Sequence, residues 1–218
     1  MRAGLSRERV IEAAVALADT EGIDALSMRR LATALGVQAM SLYNHVKDKD
    51  DLLDALVERV VAEIELPPPG TPWRAALRHR SQAAHAALMR HPWACPLLMS
   101  RPNVGPAMLR YLDWTLGVLY AAGFPPALAD HAWNVLDAHL YGFTLHKLTF
   151  PFEVGQYAAA ASFFLPTLAD GRYPAFRRLT VEVAEGRHDG IQRLEFGLDM
   201  LLDGLERTLA DSRDTGVG

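Results

Sequence analysis

The sequence predicts an all-α protein, and three observations carry that prediction. Apolar residues recur every three or four positions along most of the chain, which is the spacing of one buried helix face. No run alternates apolar with polar residues as a half-buried strand would. Serine, glycine and proline fall where helices start and stop.

The first element spans Leu5 to Gly22, an amphipathic helix with Ser6 as its cap and Gly22 as its stop. Ser27 caps a second helix whose apolar face is Met28, Leu31, Ala32 and Leu35. Gly36 can adopt the left-handed conformation that ends a helix and turns the chain. A third helix, Gln38 to Val46, buries Leu42 and Val46. Two helices joined by a short glycine turn are the shape that sets a recognition helix into a DNA major groove, although an ordinary helical hairpin has the same outline. A further helix starts at the acidic cap Asp48 and runs over 49–66, joining this region to the C-terminal part of the chain.

Prolines 67, 68, 69 and 72 mark the clearest boundary, because proline has no amide donor to give a helix. Beyond it, helices are expected near 72–90, 93–101, 105–122, 126–148, 156–169, 173–184 and 189–210. The breaks fall at His91-Pro92, Arg101-Pro102, Gly123-Phe124-Pro125-Pro126, Phe150-Pro151 and Gly171. Residues 211–218 are expected to be a disordered tail.

Four strings in order strongly resemble the N-terminal domain of the tetracycline-repressor (TetR) family. They are Leu26-Ser27-Met28-Arg29-Arg30-Leu31-Ala32, Leu35-Gly36-Val37, Leu42-Tyr43-Asn44-His45-Val46 and Lys49-Asp50-Asp51-Leu52-Leu53. His91-Pro92-Trp93, Arg101-Pro102, Gly105-Pro106, Ala122-Gly123-Phe124 and Tyr141-Gly142-Phe143 carry a looser resemblance to the family's C-terminal domain. The resemblance implies a three-helix helix-turn-helix DNA-binding domain over 1–48, a connecting helix over 49–66, and a helical ligand-binding and dimerisation domain over 67–210. It also implies a DNA surface made of Met28, Arg29, Gln38, Ala39, Met40, Ser41, Tyr43, Asn44, His45 and Lys49. Arg29 is the expected base reader, since a guanidinium can hold guanine O6 and N7 together, whereas Tyr43, His45 and Lys49 are expected on phosphates.

Bulk properties restrict the alternatives. The chain has 218 residues, half of them hydrophobic, enough for a substantial core. Its formal charge of −4 excludes a broad basic coat, so DNA binding must come from the placement of a few cations. A single cysteine, Cys95, permits no intrachain disulfide and fits a cytoplasmic protein. No stretch reaches the roughly 20 apolar residues of a membrane span, and the start of the chain does not read as a signal peptide.

Candidate sites are weaker in the C-terminal half. Met89, Trp93, Met99, Trp114 and Phe143 are candidate walls of an effector pocket, with His85, Asn134, His139 and His146 as its polar contacts. For each of them taken singly, plain core packing is the stronger reading. Gly190, Gly197 and Gly204 recur every seven residues, and an interior glycine costs a helix about 1 kcal/mol. Their stripe, with Met200, is therefore a candidate dimer interface. No cofactor or metal is expected: none of the eight histidines lies four residues from another. No nucleophile elbow, phosphate loop or dinucleotide fingerprint is present, which argues against an enzyme. The expected function is a homodimeric transcription regulator, a repressor bound to palindromic double-stranded operator DNA and released by a small, largely apolar effector. The alternative is a helical ligand-binding or protein-interaction module without sequence-specific DNA binding.

Overall fold

The computed structural model describes residues 4–152, 155–188 and 193–214, and among them no strand occurs. Eleven α-helices follow one another: α1 (Arg7–Glu21), α2 (Met28–Leu35), α3 (Ala39–Leu42), α4 (Lys49–Ala62), α5 (Trp73–Arg90), α6 (Ala94–Ser100), α7 (Pro106–Ala121), α8 (Pro126–Thr149), α9 (Tyr157–Phe164), α10 (Pro174–Ala184) and α11 (Leu194–Asp214). They form two compact units, one of residues 1–148 with 197–218 and the other of residues 149–196.

In the first unit the local signals act as expected. The Ser6 and Ser27 hydroxyls accept from the amides of Arg9 and Arg30, and the Asp48 carboxylate accepts from Asp51 at 2.8 Å. Gly36 sits at φ 68°, and the amide of Val37 reaches back to the Ala32 carbonyl at 3.0 Å. Val10, Ala14 and Ala18 of α1, Leu31 of α2, Leu42, and Leu52 and Leu56 of α4 share a small core with essentially no exposure. A larger core joins α5, α7, α8 and α11 through Leu77, Leu119, Leu136, Leu198, Leu202 and Leu205.

Four boundaries differ from the sequence-based expectation. Helix α3 covers only Ala39–Leu42, and Tyr43 to His45 continue as turns in which the amides of Tyr43 and His45 reach back three residues. Tyr, Asn and His are middling helix formers, and the chain must become extended by Asp48 to cap α4. Helix α4 stops at Ala62 instead of running to 66. The ring of Pro67 would press on the carbonyl four residues back, at Glu63, so the helix cannot run through. In the second unit Leu165–Leu168 is a 3-10 turn and not a continuation of α9, because Pro166 has no amide to offer the carbonyl of Ser162. Helix α11 extends to Asp214, so the tail expected from residue 211 begins as helix; residues 215–218, like Gly190, lie outside the described residues.

Candidate functional site

The helix-turn-helix face is built by burying its back. Leu31, Leu42 and Val46 are sealed into the small core. What remains outward is Arg29, Gln38, Met40, Tyr43, Asn44 and Lys49, with Met28, Ala39, Ser41 and His45 half-buried beside them. Met40 is 74% exposed, an unusual position for a large apolar side chain. Arg29 and Lys49 have no side-chain partner among the described residues, so both cations are available to an outside anion.

Two residues that sequence reasoning passed over hold this face in place. The Arg7 guanidinium donates to both carboxylate oxygens of Asp51, at 2.8 and 2.9 Å, and to the carbonyl of His45 at 2.7 Å. Asp51 also accepts from the Lys47 amide at 2.8 Å. Helices α1 and α4 are thereby clamped around the end of the recognition turn. The hydrogen bond from Arg7 holds the Asp51 carboxyl well below its usual range, at about 2.

The same four helices are tied to the rest of the first unit by charged contacts. Glu58 of α4 accepts from the amides of Ala107 and Met108, taking the place of a side-chain cap at the start of α7. Gly105 permits this approach, since a Cβ there would run into the Glu58 carboxylate. The His91 ring nitrogens face Asp19 at 2.8 Å and Glu63 at 3.1 Å, and Trp93 donates to the same Asp19 oxygen at 2.6 Å. Burial opposes ionisation of Glu63, but hydrogen bonds from His91 and Arg90 outweigh it and keep the carboxyl below its usual range. Arg101 reaches Asp54 at 2.7 Å and Asp50 at 3.1 Å.

The candidate pocket residues do not gather in one place. His85, His139 and Phe143 do come together: His85 lies 2.8 Å from the Thr144 hydroxyl, and both histidine rings pack on Phe143. Trp93 instead points its indole at α1, and Trp114 donates to the Pro67 carbonyl at 3.2 Å. Met99, Asn134 and His146 are exposed, and Asn134 bonds to Asp130 on its own helix. Met89 is half-buried on α5.

Between α5, α7 and α8 lies a polar cluster that was not predicted. Arg80, with no exposure, donates to Asp137 at 2.7 Å and sits 4.3 Å from the centre of the Tyr111 ring. Asp137 also accepts from Trp133 at 2.6 Å. Arg80 Nε and Nη1 and the Ser81 hydroxyl are buried without a hydrogen-bond partner among the described residues. Burial raises the phenols of Tyr111 and Tyr141, so both stay protonated; the Tyr111 hydroxyl lies near that of Tyr141 without forming a well-aligned bond. A spacing signal existed, because Arg80 falls on the stripe Ala76, Leu77, Ala84, Ala87 that α5 buries.

For the candidate dimer residues, Met200 is largely exposed and a Cβ on Gly204 would meet open space. A Cβ on Gly197 would strike the His139 ring of the same chain, so this glycine has an internal reason to be small.

Comparison with known proteins gives a consistent result. Residues 10–56 match the family described as bacterial regulatory proteins, tetR family, and residues 66–209 match the tetracyclin repressor-like C-terminal domain. The chain is 33% identical over 219 residues to the HTH-type transcriptional repressor DrrR1 of Streptomyces coeruleorubidus, covering 96% of this chain and 80% of that protein. It is 30% identical over 208 residues to the tetracycline repressor protein class D of Escherichia coli, covering 94% and 90%. Apo ActR from Streptomyces coelicolor has the same fold with a TM-score of 0.82 at 25% identity, over 97% of this chain and 100% of that one. Its complex with actinorhodin gives 0.80 at 27% identity, over 95% and 99%.

Proposed function

Because this chain belongs to the TetR family of bacterial regulatory proteins, which are transcription regulators and not enzymes, we propose that it is a ligand-released repressor that binds a palindromic operator as a homodimer in the cytoplasm. The observation that carries the DNA half is the outward face of α2, α3 and the turn after it. There Arg29 and Lys49 stand unpaired beside Gln38, Met40, Tyr43 and Asn44, over a back that is fully buried. Arg29 reads a base edge, Tyr43, His45 and Lys49 set register on phosphates, and Met40 and Ala39 offer only apolar contact, suited to a thymine methyl.

The effector half rests on the ActR complex with actinorhodin and on the polar cluster of this chain. Arg80, with two buried donor nitrogens unpaired, is the anchor for an accepting oxygen on a largely apolar molecule lodged among α5, α7 and α8. Such a ligand acts on DNA through α4. Two recognition helices must lie roughly 34–36 Å apart to meet successive major grooves, and α4 ties the DNA-binding face to α7 through Glu58. A ligand that prefers one setting of α4 by about 1–3 kcal/mol changes operator affinity roughly 5- to 150-fold.

The test is selection of bound sequences from a random DNA pool, followed by gel shifts with the selected operator. An inverted repeat should emerge, and Arg29→Ala should weaken binding by about 1–3 kcal/mol while relaxing one position of each half-site. A pool that yields no preferred sequence would instead favour a helical ligand-binding or protein-interaction module that does not read DNA.

A further inference from the structure

A crevice of about 700 Å³, partly open to solvent, lies between α1, α4 and the 102–106 segment that leads into α7. That volume is in the range of small-molecule sites. Neither Arg80 nor any other residue of the effector region lines it. Its walls are largely apolar, with Ile11 and Ala55 inside and Val104, 75% exposed, at the rim. Its charged lining is unbalanced: Glu8, Glu12, Asp51, Asp54 and Glu58 against Arg7 and Arg59. Three of these carboxylates are already engaged: Asp51 holds Arg7, Asp54 holds Arg101, and Glu58 caps α7. Arg59 is likewise engaged, by Glu63. Glu8 and Glu12, one turn apart on α1, have no partner among the described residues.

We propose that this crevice is a second small-molecule site, and that it takes an organic cation with a bulky apolar body. The apolar walls hold the body, and the lining carboxylates that face no cation, the unpaired Glu8 and Glu12 together with the amide-bound Glu58, leave its uncompensated charge negative. An anion of the same shape meets repulsion there, and a neutral one gains burial alone. An occupant sits against α4 and the start of α7, where Glu58 joins them, and so touches the helix that carries the DNA-binding face. Binding here does not depend on Arg80 being the anchor of an effector.

The test titrates the full chain with tetraphenylphosphonium and, separately, with tetraphenylborate, which has nearly the same shape and the opposite charge. The phosphonium ion is expected to bind and the borate to bind at least tenfold more weakly. In the Glu8→Gln/Glu12→Gln variant, phosphonium affinity should fall about tenfold with the thermal unfolding midpoint unchanged. Both side chains are exposed and make no contacts that the fold needs. Equal binding of the two ions would overturn the proposal. So would a folded double variant that keeps full phosphonium affinity, which would place the cation elsewhere.

Discussion

The Arg80–Asp137 pair offers the sharpest test of how the C-terminal helices are held. Arg80 has no exposed surface and Asp137 little, so their mutual attraction is barely screened by water. Burial opposes the guanidinium charge, and Tyr111 and Asp137 restore it, so Arg80 stays protonated. Replacing Arg80 with Met deletes the 2.7 Å hydrogen bond and the contact with the Tyr111 face. It leaves Asp137 with Trp133 as its remaining donor. Breaking one side of a buried pair generally costs about 3–5 kcal/mol. Here the loss should fall near the lower end, about 3 kcal/mol, because the substitution also removes two buried donors that had no acceptor. Converting both residues, Arg80→Met with Asp137→Leu, should bring stability back to within about 1 kcal/mol of the starting protein, since apolar replacements of similar volume are often neutral. The assay is urea denaturation at fixed protein concentration, read as a double-mutant cycle. A single Arg80→Met variant within about 0.5 kcal/mol of the parent would refute the reasoning, as would a double variant that merely sums the two losses. If the double variant folds but no longer responds to an effector that stabilises the parent, Arg80 is also the ligand anchor.

Three further outcomes are expected. Asp51 has a folded pKa of about 2, below the roughly 3.9 of an unfolded aspartate, so its contribution is complete above about pH 4 and is lost as pH falls through about 2. Asp51→Asn should therefore cost about 1 kcal/mol at pH 7 after allowance for solvent screening of this half-exposed pair, and progressively less as pH falls through about 2, as followed by circular dichroism. Burial pushes the Cys95 thiol up to about 11, so at pH 8 a disulfide reagent should modify it only as fast as the protein unfolds, and rapidly in denaturant. Gly105→Ala should push the Glu58 carboxylate off the α7 amides and cost about 1 kcal/mol by thermal unfolding.

What could be read from the chain alone was whatever depends on neighbours three or four residues apart. Ser6, Ser27 and Asp48 cap helices, Gly36 turns the chain, and the stripes of α4, α8 and α11 go inside, because capping and helical periodicity are local interactions. The family strings of the N-terminal domain are of the same kind, which is why the residues of its outward face could be named in advance. Helix ends near prolines were misjudged where the ring acts backward on the preceding turn, as at Pro67 and Pro166. The contacts that hold the function together span much longer separations. Arg7 meets Asp51 across 44 positions, Glu58 meets Met108 across 50, and Arg80 meets Asp137 across 57. A charged residue in an apolar stripe reads as an exception until its partner is known, and the partner depends on how two helices are rotated about their axes. That rotation also put Asn134 and His146 outside while His139 went beside Gly197, although all three histidine and asparagine positions share one helix. Sequence determined which faces are buried and where helices begin; only tertiary packing decided which buried polar groups meet, because that choice is made by the azimuth and crossing of whole helices, which no short window of residues encodes.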